Sequence, residues 1–260
     1  MIHKTAIVDS KAKISSNVKI GPYSIIGPHV EIDADVIIQS HVNIVGHTTI
    51  GKNNRIYPLA SIGSDPQDLK YKGEKTSLII GTNNIIREHV TINTGTIQGG
   101  GITKVGNNNL IMIGAHIAHD CIIGNDIVMA NNSAVAGHAE IQDFVIIGAK
   151  CGIQQFTRIG KMAMIGGMTA VSRDVIPYGL SIGNRNFLNG INVIGLRRDK
   201  VQNKEIIGLT EAYKEIFKSK NLSENLSKLN GKFKDNTLVK EVLEFINKDK
   251  KRPICTPYSD

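Results

Sequence analysis

The sequence predicts an all-β fold, a parallel β-helix of hexapeptide repeats over residues 1–185, followed by a small C-terminal α-helical domain over residues 186–260. Three observations carry this. Ile14, Ile20, Ile26, Ile32, Ile38, Ile44, Ile50, Ile56 and Ile62 recur six residues apart without a miss, a period that neither an α-helix nor an alternating strand has. The residue four places after each aliphatic is nearly always small or β-branched, as at Ser24, Val30, Val36, Val42, Thr48 and Ala60. Beyond Asp199 the period changes to 3.6, with Leu209, Tyr213, Ile216 and Phe217 on one helical stripe.

The comb starts at Ile2 and Val8, resumes after a break as Ile80, Ile86 and Ile92, and after a second break runs from Val105 to Val171. Three hexapeptides close one triangular coil, so positions 18 apart stack, at a spacing of about 4.8 Å. Each interior aliphatic contributes roughly 1.5–3 kcal/mol when buried, so packing alone explains the comb. The second column must fit a tight interior corner. Gly21, Gly27, Gly51, Gly63, Gly81, Gly106, Gly124, Gly148, Gly160 and Gly166 follow comb aliphatics and read as a recurrent turn. Asn54, Asn84 and Asn109 break the small-residue rule inside Gly-plus-Asn turns, where Asn tolerates left-handed backbone.

A stacked coil accepts insertions only as loops that leave the prism. The breaks predict two, near 64–77 and near 98–104. The first carries the charged pair Asp68 and Lys70. The second is glycine-rich, but no Lys-Ser or Lys-Thr follows Gly99, Gly100 and Gly101 at the spacing of a phosphate-binding loop.

After Pro177 and Gly183 the helical domain begins. Leu222, Leu226 and Leu229 predict a second helix with Ser223 as a candidate cap, and Val239, Val242, Leu243 and Ile246 predict a third. The tail, residues 248–260, reads as frayed or loosely packed.

Composition bounds the class. There is no apolar run long enough for a membrane span and no secretory leader before the comb, which fits a soluble, cytoplasmic enzyme. Cys121 and Cys151 sit in the small-residue column, so plain thiols are expected rather than a disulfide framework. Residues 186–260 hold 15 Lys and Arg against 10 Asp and Glu. A solvated helical face and a docking surface for an acidic partner both account for that excess. Scattered basic residues without interleaved aromatics argue against nucleic acid.

The histidines carry the strongest chemical signal. His119 stands two residues after Ile117, at a position facing outward, with His116 three before it and His138 about one coil later. His119, Gly137, Gln155 and Arg173 lie 18 apart and should form one column. A glycine beside a histidine leaves a notch and presents an unobstructed backbone N–H, as an oxyanion site requires. His29, His41 and His47 read as surface residues. A zinc site built from His116, His119 and His138 across a subunit boundary is compatible with the spacing but not specified by it.

The strings SHVNIVGHTTIG, QDLKY, TIQGGGITKVG, AHIAHDCIIGN, ANNSAVAGH and GINVIGLRR, in this order along a hexapeptide prism, resemble the UDP-N-acetylglucosamine O-acyltransferases, which perform the first step of lipid A synthesis. The resemblance spans essentially the whole chain. It implies a left-handed coil and a homotrimer with active sites between neighbouring prisms. It implies transfer of an (R)-3-hydroxyacyl group from acyl carrier protein to the sugar 3-hydroxyl, with no metal and no redox cofactor. By the same resemblance His119 is the general base, Asp120 orients or polarises its ring, and the Gly137 N–H is the oxyanion donor. Asp68 and Lys70 match loop residues near the sugar nucleotide and acyl region, and His116 and His138 match substrate-site histidines. Gln155 matches a residue near the acyl 3-hydroxyl, while Asn192 and Arg198 match positions near the nucleotide. Gly167 matches the position that limits acyl depth, and without a side chain it should admit a longer chain. The acidity of acyl carrier protein accounts for the basic C-terminal region.

Departures from the family pattern fall at Gln154, Arg185 and Ile194. They leave the reaction class intact but keep open a 3-amino analogue of the sugar nucleotide, which would give an amide. Other readings of the comb are the later N-acyltransferase of the same pathway, which normally carries an N-terminal uridine-binding domain that a comb starting at residue 2 leaves no room for, a zinc hexapeptide enzyme, and a non-catalytic scaffold. Met112, Phe144, Met162 and Met164 form a candidate strip for packing between prisms.

Overall fold

Each hexapeptide folds as a short strand and a turn, and the strands stack into three flat faces. In this computed structural model, which describes residues 1–229, 231–249 and 252–258, the faces hold nine, eight and ten strands among the described residues. They begin at Ile7–Val8, Lys13–Ile14 and Lys19–Ile20 respectively, and the chain visits them in that order. Pairing is parallel, with Lys13 opposite Glu31 and Lys19 opposite Ile37, one full coil of three hexapeptides on in each case.

The comb is the core. Every comb aliphatic from Ile20 to Val171 is buried, whereas Val8 and Ile14 are half-buried and Ile2 is exposed. The alternate residue of each two-residue strand points out, which is why a two-residue strand suffices.

The turns differ from expectation in two ways. Of the ten comb glycines only Gly63 has positive φ; the left-handed residue of a turn is instead a non-glycine such as Asn53, Asp120, His138 or Phe156, with φ of 60°, 59°, 61° and 62°. The glycines answer to the next coil: a Cβ on Gly106 would stand 2.4 Å from the Gly124 carbonyl oxygen. Asn54, Asn84 and Asn109 are not the left-handed residues either, because Asn53, Asn83 and Asn108 are. They are buried and form a ladder. The Asn84 N–H donates to Asn54 Oδ1 at 2.9 Å, the Asn109 N–H to Asn84 Oδ1 at 2.9 Å, and the Ile127 N–H to Asn109 Oδ1 at 2.8 Å.

The insertions show in the register. Ser61 pairs with Thr91, and Thr91 in turn with His116, both longer steps along the chain than the single coil that separates Lys13 from Glu31. Both loops leave the corner where the nine-stranded face passes to the eight-stranded face, between Ser61–Ser64 and Ser77–Ile80 and between Thr91–Asn93 and Ile102–Val105.

At the far end the last coil shortens: Ala170 still pairs with Gly152 at the full repeat, but Val175 bridges Ile159, a step two positions short of it. The 18-residue repeat behind the column predicted from His119 is thus lost between Val171 and Val175, the stretch that holds Arg173. Strand Phe187–Ile191 then pairs antiparallel with Gly179–Ile182. Among the described residues four helices follow: α1 (Val193–Arg198), α2 (Asn203–Ile216), α3 (Leu222–Lys228) and α4 (Thr237–Lys248). The cap of α3 is Asn221, whose side chain accepts from the Glu224 N–H, and not Ser223. Buried Arg158 joins α4 to the prism. Its guanidinium donates to Asp174 Oδ2 at 2.7 Å and to the carbonyls of Phe245 and Asp249.

The tail is not loose where it is described. Ile254 and Cys255 are buried, the Asp174 N–H donates to the Pro253 carbonyl, and the Cys255 N–H donates to the Asp174 carbonyl at 2.7 Å. Lys250, Lys251, Ser259 and Asp260, part of the same expectation, lie outside the described residues.

Candidate active site

Strand His116–Ile117 ends at the corner from which both insertions leave. Ala118, His119 and Asp120 make that corner and are all buried within the chain. Asp120 sits at φ 59°, and its carboxylate reaches back: Oδ2 lies 2.8 Å from His119 Nδ1. Oδ1 accepts from the Thr96 N–H at 2.8 Å and Oδ2 from the Thr96 hydroxyl at 2.6 Å. A carboxylate only accepts. With the carboxylate as acceptor, the neutral imidazole carries its proton on Nδ1 and has its lone pair on Nε2.

One coil on, the His138 N–H donates to the His119 carbonyl at 3.0 Å, which sets Gly137 beside the imidazole. A Cβ on Gly137 would fall 2.5 Å from His119 Cε1, so only glycine lets the ring lie there. Among the described residues the Gly137 N–H donates to no backbone carbonyl. A base nitrogen and a free N–H donor thus stand side by side.

Two further histidines frame them. The His138 ring meets the His119 ring edge-on with centroids 5.1 Å apart, and stacks on Phe156 at 4.4 Å. Its pKa is lowered, mainly by burial, with Asp120 and Asp68 pulling it up and His119 pushing it down. Asp68 is therefore close enough to be felt at this corner. His116 accepts or donates at Nδ1 to the Thr91 hydroxyl at 2.7 Å, and burial, then His119, lowers its pKa. Both rings are biased toward the neutral form. Lys70 is exposed on the first insertion, its backbone N–H donating to Asp68 Oδ1 at 2.9 Å. Gln155, exposed, follows Gly137 on the same corner.

The remaining expected residues are elsewhere in the chain. Gly167 follows Met164–Ile165, at the corner between the ten- and nine-stranded faces. Asn192 and Arg198, at the two ends of α1, line a groove with Phe144 and Met162 at the corner between the eight- and ten-stranded faces. Asn192 is committed internally: Oδ1 accepts from the Gly195 N–H, and Nδ2 donates to the Met162 carbonyl. The ten-stranded face is bounded by both of these corners.

His119, Asp120 and His138 bring metal-ligating atom types within 4.8 Å of one another. The donor set suits a hydrogen-bond relay better than an ion, because both Asp120 oxygens already accept from fixed donors. The glycine-rich insertion is no phosphate cradle; Gly99 packs against Asp120, where a Cβ would lie 2.0 Å from Cγ. Sequence reasoning missed Thr96, which falls on the comb's small-residue column and looks like any other corner residue, and Phe156, which no periodicity marks.

Residues 11–46 and 102–137 match bacterial transferase hexapeptide repeats, and residues 174–255 match the family described as Udp N-acetylglucosamine O-acyltransferase; Domain 2. The acyl-(acyl-carrier-protein)–UDP-N-acetylglucosamine O-acyltransferase of Aliarcobacter butzleri is 50% identical over 246 residues, 94% of this chain and 94% of the relative. The chain belongs to the UDP-N-acetylglucosamine O-acyltransferase family. Two solved structures of such acyltransferases agree. That from Moraxella catarrhalis superposes with a TM-score of 0.93 at 44% identity over 97% of this chain and 98% of its own. That from Campylobacter jejuni superposes with a TM-score of 0.92 at 37% identity over the whole of both chains. The acyltransferase coil is left-handed, an exception to the usual crossover hand.

Proposed function

We propose that the chain transfers an (R)-3-hydroxyacyl group from the thioester of acyl carrier protein to the 3-hydroxyl of UDP-N-acetylglucosamine, the first step of lipid A synthesis, at a site completed by a second copy of the chain. The observation that carries the reading is the His119 imidazole, bonded to Asp120 through Nδ1 with Nε2 turned to Gly137, whose N–H has no backbone acceptor among the described residues. The relatives' names supply the substrates.

In this mechanism Nε2 takes the proton of the sugar hydroxyl as its oxygen bonds to the thioester carbonyl carbon. The carbonyl oxygen gains charge and accepts from the Gly137 N–H. Asp120 stabilises the imidazolium. Collapse of the tetrahedral intermediate breaks the C–S bond, and the proton passes from His119 to the leaving thiolate. General-base catalysis of this kind supplies roughly 10²–10⁴-fold.

Gly167 and Arg198 lie on two corners that do not hold His119. A neighbouring prism presenting its ten-stranded face to the His119 corner brings both to the site, and a three-fold closed assembly repeats this contact. We assign Asp68, Lys70, His116, His138, Gln155 and Arg198 to substrate binding and Gly167 to acyl length, with Asn192 holding α1 in place beside Arg198. The net positive C-terminal region, 15 basic residues against 10 acidic, suits an acidic carrier protein. The three cysteines are free and buried, in keeping with a reducing compartment, and we place the reaction in the cytoplasm. Among the described residues no helix is long and apolar enough to cross a membrane.

The test is acyl transfer from a series of 3-hydroxyacyl carrier proteins to UDP-N-acetylglucosamine by wild type and His119→Ala. Activity peaking at one chain length and collapsing in the variant supports reaction, base and length selection together. Activity only with the 3-amino sugar would move the acceptor and keep the mechanism, and no transfer to either would sink the proposal.

A further inference from the structure

We propose that Thr96 is a positioning residue for acyl transfer: it commits Asp120 to His119 and so holds the imidazole in the tautomer whose Nε2 is free, with the glycine-rich insertion serving to fix the Thr96 hydroxyl. The inference rests on the reading of His119 as general base.

Thr96 is 1% exposed, yet both its polar hydrogens go to one side chain. Its N–H donates to Asp120 Oδ1 and its hydroxyl to Oδ2. The direction of the hydroxyl follows from its other contact. Thr96 Oγ1 accepts from the Gly99 N–H at 3.2 Å, so its own hydrogen turns to Asp120. Gly99 can come that close only because it lacks a Cβ. Gly100 and Gly101, at φ 97° and 79°, turn the loop back, and the Gly101 N–H donates to the Thr96 carbonyl at 2.7 Å. At the loop's other end Thr103 Oγ1 accepts from the Asp120 N–H at 2.8 Å. Asp120 is thus held by residues on both sides of the insertion.

A competitor for the carboxylate stands nearby. His138 Nε2 lies 3.8 Å from the same Oδ2 that serves His119. Swinging that oxygen toward His138 would leave His119 Nδ1 without its acceptor and free the ring to exchange tautomers. The Thr96 hydroxyl and His119 Nδ1 hold Oδ2 while the Thr96 N–H holds Oδ1, and together they pin the carboxylate on the His119 side.

The experiment compares ¹⁵N-histidine NMR spectra of the full chain with steady-state kinetics, for wild type, Thr96→Val and Thr96→Ser. Wild type should show His119 protonated at Nδ1. Thr96→Val should show mixed tautomers and a kcat lower by about 10- to 100-fold, with KM for both substrates within about twofold. Thr96→Ser should restore the tautomer and most of kcat. A Thr96→Val protein with wild-type tautomer and kcat would overturn the proposal, as would a Thr96→Ser protein as impaired as Thr96→Val, since the methyl group would then be what matters. If Thr96→Val does not fold, Gly99→Ala, which displaces the carboxylate sterically, takes its place, and an unchanged His119 tautomer there is equally fatal. Should wild type fail to acylate UDP-N-acetylglucosamine, the substrate reading falls while the tautomer comparison still decides the role of Thr96.

Discussion

The imidazole of His119 lies across the Cα of Gly137, so that a Cβ on the glycine would stand 2.5 Å from Cε1 and 2.7 Å from Nε2. Unlike Gly63, at φ 78°, Gly137 is outside the left-handed region. An alanine backbone is therefore tolerated there, and the collision falls on the ring alone. Gly137→Ala should lower kcat about 100-fold by misplacing the base, with a thermal midpoint within a few degrees of wild type. Full activity in a folded Gly137→Ala protein would refute the packing account.

Gly167 is the reverse case. Its φ is ordinary, and the nearest atom to an added Cβ is the Ala149 carbonyl oxygen at 3.4 Å, an accommodating contact. Gly167→Met should therefore fold normally and shorten the space at its corner. Donor preference should move to shorter 3-hydroxyacyl chains, by roughly fourfold per methylene lost, the equivalent of about 0.8 kcal/mol. The same chain-length profile in variant and wild type would remove Gly167 from the acyl site.

The repeat was legible because it is one packing constraint written many times: an aliphatic every sixth residue has a single stacked solution. Single contacts leave no such trace. Thr96 and Thr157 both stand in the small-residue column and are both buried, yet Thr96 holds Asp120 while the Thr157 hydroxyl finds no partner among the described residues. The comb glycines misled in the same way, since glycine marks both left-handed turns and close approach, and only the folded backbone separates the two. Arg158 and Asp174 look like surface charges until the shortened last coil buries them together. His119, Asp120 and Gly137 stood out in the sequence because packing of the comb does not require residues of those types at that corner.

The asparagine ladder carries stability of its own. Asn84 sits between Asn54 and Asn109, accepting the Asn109 N–H at Oδ1 and donating from Nδ2 to the Gly106 carbonyl at 3.0 Å. Asn84→Ala strands a buried N–H and a carbonyl beside a side-chain void. It should cost about 2–4 kcal/mol, read as a lower denaturant midpoint at unchanged slope. A neutral result would mean that water replaces the amide, and the ladder would then be incidental to stability.

Acid should weaken the fold in two separate ranges. His116, His138 and His47 all have lowered pKa values, each chiefly through burial. Unfolding returns them to about 6.5, so below that pH the unfolded chain binds more protons and stability rises with pH. Their contribution is complete above about 6.5 and is lost as pH falls through the lower folded values. Glu74, through the Lys72 N–H, and Glu88, through Arg87, lie below the ordinary 4.5, and their contribution disappears only at more acid pH. Unfolding midpoints measured from pH 7.5 to 3.5 should therefore decline in two steps. Replacing His116 and His138 by Gln should shrink the upper step to the part that His47 supplies and spare the lower one. Burial outweighs the upward pull of Asp120 and Asp68 on His138, so an upper step of wild-type size in the double variant would mean that neither ring contributes to it, and the neutral-ring picture of the site would have to be abandoned.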